Sequence, residues 1–241
     1  MFRFTIFGIP VEVQPFFWIT LVILGGASGA DTKAAIFQIV LFVLAGFISI
    51  LVHELGHALT ARKYGANVHI VLQAFGGYAA HSGVRFTRKQ DFLVTAAGPA
   101  AGFALLFAVL GGMCLFFSGA EVFALAGLEL FGLRPTFLPM ELIAFMQEKP
   151  FVFSLLMNFI WINFWWGMLN LLPVLPLDGG HMLNAVMGPS RLRTTLWTSI
   201  IVAIGVALFM FMRNPGNFIF PIFLGMFAWQ SYQALQQTRW R

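Results

Sequence analysis

Long stretches without charge alternate along this chain with short clusters of charged residues. Runs lacking Asp, Glu, Lys and Arg occupy residues 13–30, 34–52, 92–120, 150–177, 194–212 and 214–238, and each holds 18 residues or more. A helix crosses the hydrocarbon core of a bilayer in about 20 residues. The pattern therefore predicts six transmembrane helices, the second running on to about Arg62. A weaker apolar piece at 121–133 is interrupted by Glu129 and by glycines, and it reads as an interfacial or re-entrant segment.

Two stretches carry a different period. Residues 1–15 alternate partly between apolar and polar positions and turn at Gly8-Ile9-Pro10, which predicts a short hairpin beside the membrane. A cleaved leader is the rival reading, because small residues at 25–30 follow an apolar core, although Glu12 and Pro15 fit it poorly. Residues 66–82 are β-prone, with a tight turn expected at Gly76-Gly77. Such a strand could offer backbone groups to an extended peptide, and a loop packed on the bundle is the alternative. The expected class is an all-α polytopic membrane protein with six transmembrane helices and a short membrane-associated β element, organised as one membrane-embedded domain over 1–241.

Composition agrees with the pattern. Hydrophobic residues make up 59% of the chain and charged residues 10%, against about 25% charged in ordinary soluble domains. The net charge of +5 does not point to nucleic acid, because the basic residues cluster at the ends of the runs. Six crossings put Arg3, Arg62, Lys63, Arg85, Arg88, Lys89, Arg191, Arg193, Arg239 and Arg241 on one side, ten of the fourteen Lys and Arg. The positive-inside rule then makes both termini cytoplasmic in a multi-pass protein of the cell membrane. Cys114 is the one cysteine, which excludes an intramolecular disulfide and a thiolate zinc site.

Against this background, His53-Glu54-Leu55-Gly56-His57 stands out. Ionisable groups inside a membrane span are costly and mark function. On a helix His53 and His57 lie one turn apart on one face, so both imidazoles can reach a single ion, with Glu54 beside it. That spacing binds zinc, one ion per chain, and makes Glu54 the general base. A catalytic zinc needs a third protein ligand. Asp178 is the only carboxylate after Lys149, and it follows two prolines and precedes two glycines that must interrupt a helix spanning 150–188. It is assigned as that ligand, while His181, one turn on, is the rival or an outer partner. Asn170 and Asn163 could hold peptide carbonyls or bond to backbone, and Asn170, beside the break, is the one expected to face substrate. His69 and His81 are expected to be solvated or satisfied by neighbours.

His53-Glu54-Leu55-Gly56-His57, followed by Asn170-x-x-Pro173-x-x-Pro176-Leu177-Asp178-Gly179-Gly180, resembles the site-2 protease family, the M50 intramembrane zinc metalloproteases. The likeness extends to Gly76-Gly77, similar to the family's glycine pair in a membrane-associated strand, and to Ala97-Gly98-Pro99-Ala100-Ala101-Gly102, although many members have Asn where Gly102 stands. The resemblance implies a metalloprotease domain that cleaves transmembrane segments of other proteins near their cytoplasmic ends, in regulated intramembrane proteolysis. His53, His57 and Asp178 would bind zinc, Glu54 would activate water, and Asn170, Gly76 and Gly77 would hold substrate. No soluble stretch is long enough for a PDZ-like or nucleotide-sensing CBS-like domain, which leaves gating to the membrane helices or to a regulatory membrane partner.

Three other functions compete. Intramembrane His, Glu and Asp also build ion or proton transporters, but no repeated pair of broken helices is present. An inactive homologue that binds membrane proteins would have no chemical need for Glu54. A di-iron membrane oxidase needs more than five histidines.

Overall fold

A computed structural model describes residues 1–74, 76–133, 140–214, 216 and 218–238. By backbone proximity the chain divides into two compact units, Met1–Val84 with Ala100–Gly167, and Arg85–Pro99 with Met168–Arg241.

The first unit begins with the hairpin of β1 (Phe2–Ile6) and β2 (Ile9–Val13). Phe7 and Gly8 both take positive φ (51° and 75°), the requirement of a two-residue turn whose twist matches the strands. Pro15 opens α1 (Pro15–Leu24), and Thr32 opens α2 (Lys33–Lys63) by accepting a hydrogen bond from the Ala35 amide at 3.1 Å. The two helices approach closely where Gly46 faces Leu21, since a Cβ at Gly46 would lie 2.9 Å from Leu21 Cδ2.

Strands β3 (Asn67–Gln73) and β4 (Gly76–Ser82) follow. All four strands form one sheet in the order β1-β2-β3-β4, with β2 and β3 parallel and the other pairs antiparallel. Ile9, Val11 and Val13 of β2 alternate inward with Ile70 and Leu72 of β3, and they pack with Phe17, Ile50, Leu51, Leu55 and Ala58. The inner face of the sheet therefore covers the turns of α2 on either side of the paired histidines. Gly76 and Gly77 open β4, opposite Gln73 and Leu72, so the tight turn expected at this pair is a strand instead.

The same unit holds the later part of α3 (Arg88–Met113), α4 (Gly119–Phe131), α5 (Met140–Glu148) and most of α6 (Pro150–Asn170). Ser118 and Glu121 close a reciprocal cap at the start of α4, whose 13 residues are too few to cross a bilayer. The second unit holds the first turns of α3, then α7 (Asp178–Met187), α8 (Leu192–Arg213) and α9 (Ile219–Gln237). Helices α8 and α9 pack along their length, Ala203 with Leu224 and Ala228, and Leu196 and Ile200 with Leu235.

Among the described residues, four helices are long and apolar enough to cross a membrane: α2, α3, α6 and α8 with the turn before it (Pro189–Arg213). The two remaining expected spans differ for identifiable reasons. Residues 13–30 finish β2 and give only ten helical residues in α1, about 15 Å. Helix α9 has 19 residues, but Gln230, Gln233, Gln236 and Gln237 dilute its apolar character. Arg134, Arg239 and Arg241, which entered the charge count, lie outside the described residues.

Candidate metal centre

The site starts from an unbroken helix. Helix α2 runs 31 residues, about 46 Å, and carries His53, Glu54 and His57 in its last third. All three are buried, at 3%, 4% and 9% exposure. The i, i+4 spacing brings His53 Nε2 and His57 Nε2 to 3.2 Å, with the rings edge to face. Two imidazole nitrogens bound tetrahedrally to one zinc at 2.0–2.1 Å stand about 3.4 Å apart, so the observed spacing suits a shared ion.

Among the described residues, one group of side chains could hold a metal ion: one donor atom each of His53, His57 and Asp178, all within 4.8 Å of one another. Two imidazoles and one carboxylate are a donor set of the kind that catalytic zinc takes, and the group fits zinc. His181 is exposed and does not belong to it, nor do His69 and His81, both exposed on the sheet.

The surroundings of each donor explain its placement. Asn163, 2% exposed, donates to Ser49 Oγ at 2.8 Å and to the Phe159 carbonyl at 2.8 Å. Of the two roles open to it, the structure assigns bonding within the bundle, where it ties α6 to α2 one turn before His53. Ser154 adds a second tie by donating to Gln38. Gly102 lies beside the same cluster: a Cβ there would sit 3.7 Å from Asn163 Oδ1 and 4.0 Å from His53 Nδ1, an ordinary contact.

Glu54 lies against the bare backbone of β4. A Cβ at Gly77 would come within 2.8 Å of Glu54 Cγ and 3.0 Å of its Oε1, and one at Gly76 within 3.0 Å of the Trp166 ring. The glycine pair thus makes room for the carboxylate and the indole. Glycines in a β-prone stretch signal a close approach, but the partners Glu54 and Trp166 are invisible without the fold.

Asp178 is held by irregular backbone. Helix α6 stops at Asn170, 8% exposed, and α7 begins at Asp178, whose charge suits a helix N-terminus. A Cβ at Gly179 would overlap the carbonyl oxygens of Leu171 and Leu172, and one at Gly180 would lie 2.5 Å from the Leu175 nitrogen. Only glycines let the first turn of α7 fold back on the break. Ser199 of α8 accepts from the Leu175 amide at 3.0 Å and donates to the Thr195 carbonyl. At the far end of α7, Arg88 donates to the carbonyls of Ala185, at 2.9 Å, and Val186. Sequence reasoning missed Ser199 and counted Arg88 only as an orientation charge.

A profile of peptidase family M50 matches residues 41–212. The chain therefore belongs to peptidase family M50, the metallopeptidases of site-2 protease type. Over 235 residues, 97% of its length, it is 29% identical to a zinc metalloprotease of Methanocaldococcus jannaschii, MJ0392. It is 27% identical over 206 residues, 80% of its length, to the Mycobacterium tuberculosis protein named putative zinc metalloprotease Rip3. The chain spans 59% of the first relative and 44% of the second. A solved site-2 protease from Methanocaldococcus jannaschii shares the fold, with a TM-score of 0.55, 22% identity, and coverage of 97% of this chain and 94% of that one.

Proposed function

We propose that this chain is an intramembrane zinc metalloendopeptidase that hydrolyses peptide bonds in transmembrane segments of other membrane proteins, near their cytoplasmic ends. The observation that carries the reading is the gathering of His53, His57 and Asp178 donors within 4.8 Å, next in sequence to a buried glutamate. His53, His57 and Asp178 are the ligands. Bound there, zinc would act as a Lewis acid toward the scissile carbonyl and would bring the pKa of water to about 7. Glu54 accepts a proton from the attacking water and returns it to the leaving amine. A carbonyl inside a helix is already hydrogen bonded, so substrate must unwind before attack. The open edge of β4 offers backbone groups to the unwound segment at Gly76 and Gly77, beside Glu54, and Asn170 orients a peptide carbonyl.

Sheet topology supports the orientation. Strands β2 and β3 are parallel neighbours, so residues on either side of α1 and α2 belong to one side of the membrane, which requires an even number of crossings between them. Residues 13–30 thus count as the outward half of a pair despite the shortness of α1. With α9 as the last, six crossings leave the termini and the metal site toward the cytoplasm. Release of a regulator by such cleavage, under control of a membrane partner, is the role this reading favours.

The decisive test is Glu54→Gln. Purified variant should retain one zinc per chain by elemental analysis, while cleavage of a co-reconstituted membrane substrate falls by at least about 100-fold. Undiminished cleavage would remove Glu54 as the base. Ion flux in proteoliposomes that survives removal of zinc would instead favour a transporter.

A further inference from the structure

The corner where α3 begins and α7 ends forms a shallow, open pocket of about 310 Å³ lined by Arg88, Lys89, Phe92, Ala185 and Val186. That size falls at the lower end of small-molecule pockets. Its composition is divided. The cations Arg88 and Lys89 line it together with the ring of Phe92 and the aliphatic Val186, 60% exposed. The backbone of the helix start does not make this site, because Thr87 and Gln90 already cap it, each accepting from the other's amide. The side chains make it.

Among the described residues neither Arg88 nor Lys89 makes an ion pair, although Asp91 lies in the same first turn of α3. Arg3, by contrast, pairs with Glu12 in the hairpin at 2.9 Å. Lys89 is exposed. Arg88 directs its guanidinium at the neutral carbonyls of Ala185 and Val186, and it presses on Gly188, where a Cβ would lie 3.0 Å from Arg88 Cζ. Gly188 has a φ of 82° and leads directly into the turn containing Arg191. Arg85 precedes the helix by three residues. Two cations beside apolar side chains, at the end of a helix long and apolar enough to cross a membrane, complement a group that joins a phosphate to hydrocarbon.

We propose that this pocket binds an anionic phospholipid, its phosphate on Lys89 and Arg88 and its glycerol and first methylenes against Phe92 and Val186. The proposal rests on α3 crossing a bilayer and not on proteolytic chemistry, so its failure would leave the reading of the metal centre untouched.

Native mass spectrometry of delipidated protein tests it, with phosphatidylglycerol or phosphatidylcholine added back at equal concentration. Phosphatidylglycerol should be retained in preference to phosphatidylcholine, and Lys89→Gln should weaken that retention about fivefold, the share of one basic residue at a lipid surface. Lys33→Gln, which removes an equal charge at the start of α2, should leave it unchanged. Equal retention of the two lipids would overturn the proposal, as would equal weakening by the two variants. Displacement of phosphatidylglycerol by millimolar inorganic phosphate, with no requirement for an acyl chain, would identify a free-phosphate site and overturn the lipid assignment. Lys89 is exposed and outside the metal centre, so its loss does not threaten folding.

Discussion

Helix α2 and the stretch 171–180 each contribute to the metal group, and they are built in opposite ways. Helix α2 is regular for 31 residues and needs only the 3.6-residue period to bring two imidazole nitrogens to 3.2 Å. Residues 171–177 abandon regular structure, and the position of Asp178 then depends on two glycines that tolerate backbone at van der Waals contact and on Ser199 reaching from α8. A donor on a regular helix is set by spacing alone. One beside a break is set by every residue that shapes the break.

That contrast can be broken experimentally. Gly179→Ala should have the largest effect, because its methyl would overlap the carbonyls of Leu171 and Leu172. Zinc affinity should fall by about 10- to 100-fold in a chelator titration, and an unchanged affinity would show that the break is free to adapt. Gly77→Ala should separate base from metal: the added carbon displaces Glu54, so turnover drops by roughly 10- to 100-fold while zinc content stays at one per chain. Ser199→Ala removes the hydrogen bond to Leu175 and should cost about 1 kcal/mol. In a thermal melt that is a shift of roughly 2–4 °C. Gly102→Ala should be neutral in zinc content and melting temperature, since its Cβ meets neighbours at ordinary contact distance.

The same contrast explains what was legible in the sequence. The uncharged runs located α2, α3, α6 and α8, because burial in a membrane writes itself as consecutive apolar residues. The His53, Glu54 and His57 cluster was legible because its geometry is local. Asp178 was found by elimination, as the sole acid beside a Pro- and Gly-rich interruption. What stayed hidden depends on contacts distant in sequence: the parallel pairing of β2 with β3, the fit of Glu54 against Gly77, and the tie from Ser199 to Leu175. Residues 13–30 and 214–238 form helices shorter or less apolar than their runs suggest, because absence of charge reports compatibility with lipid, whereas helix length is cut by a strand in the first case and apolarity diluted by glutamines in the second.

The parallel pairing of β2 with β3 also sets a schedule for biogenesis. Val11 finds its neighbour only when Ile70 has been synthesised, after both intervening helices. At 5–20 residues per second the N-terminal hairpin waits about 3–12 seconds with one edge open. Throughout that interval the nascent chain holds an incomplete ribbon, and the surroundings of Glu54 are complete only when β3 and β4 arrive.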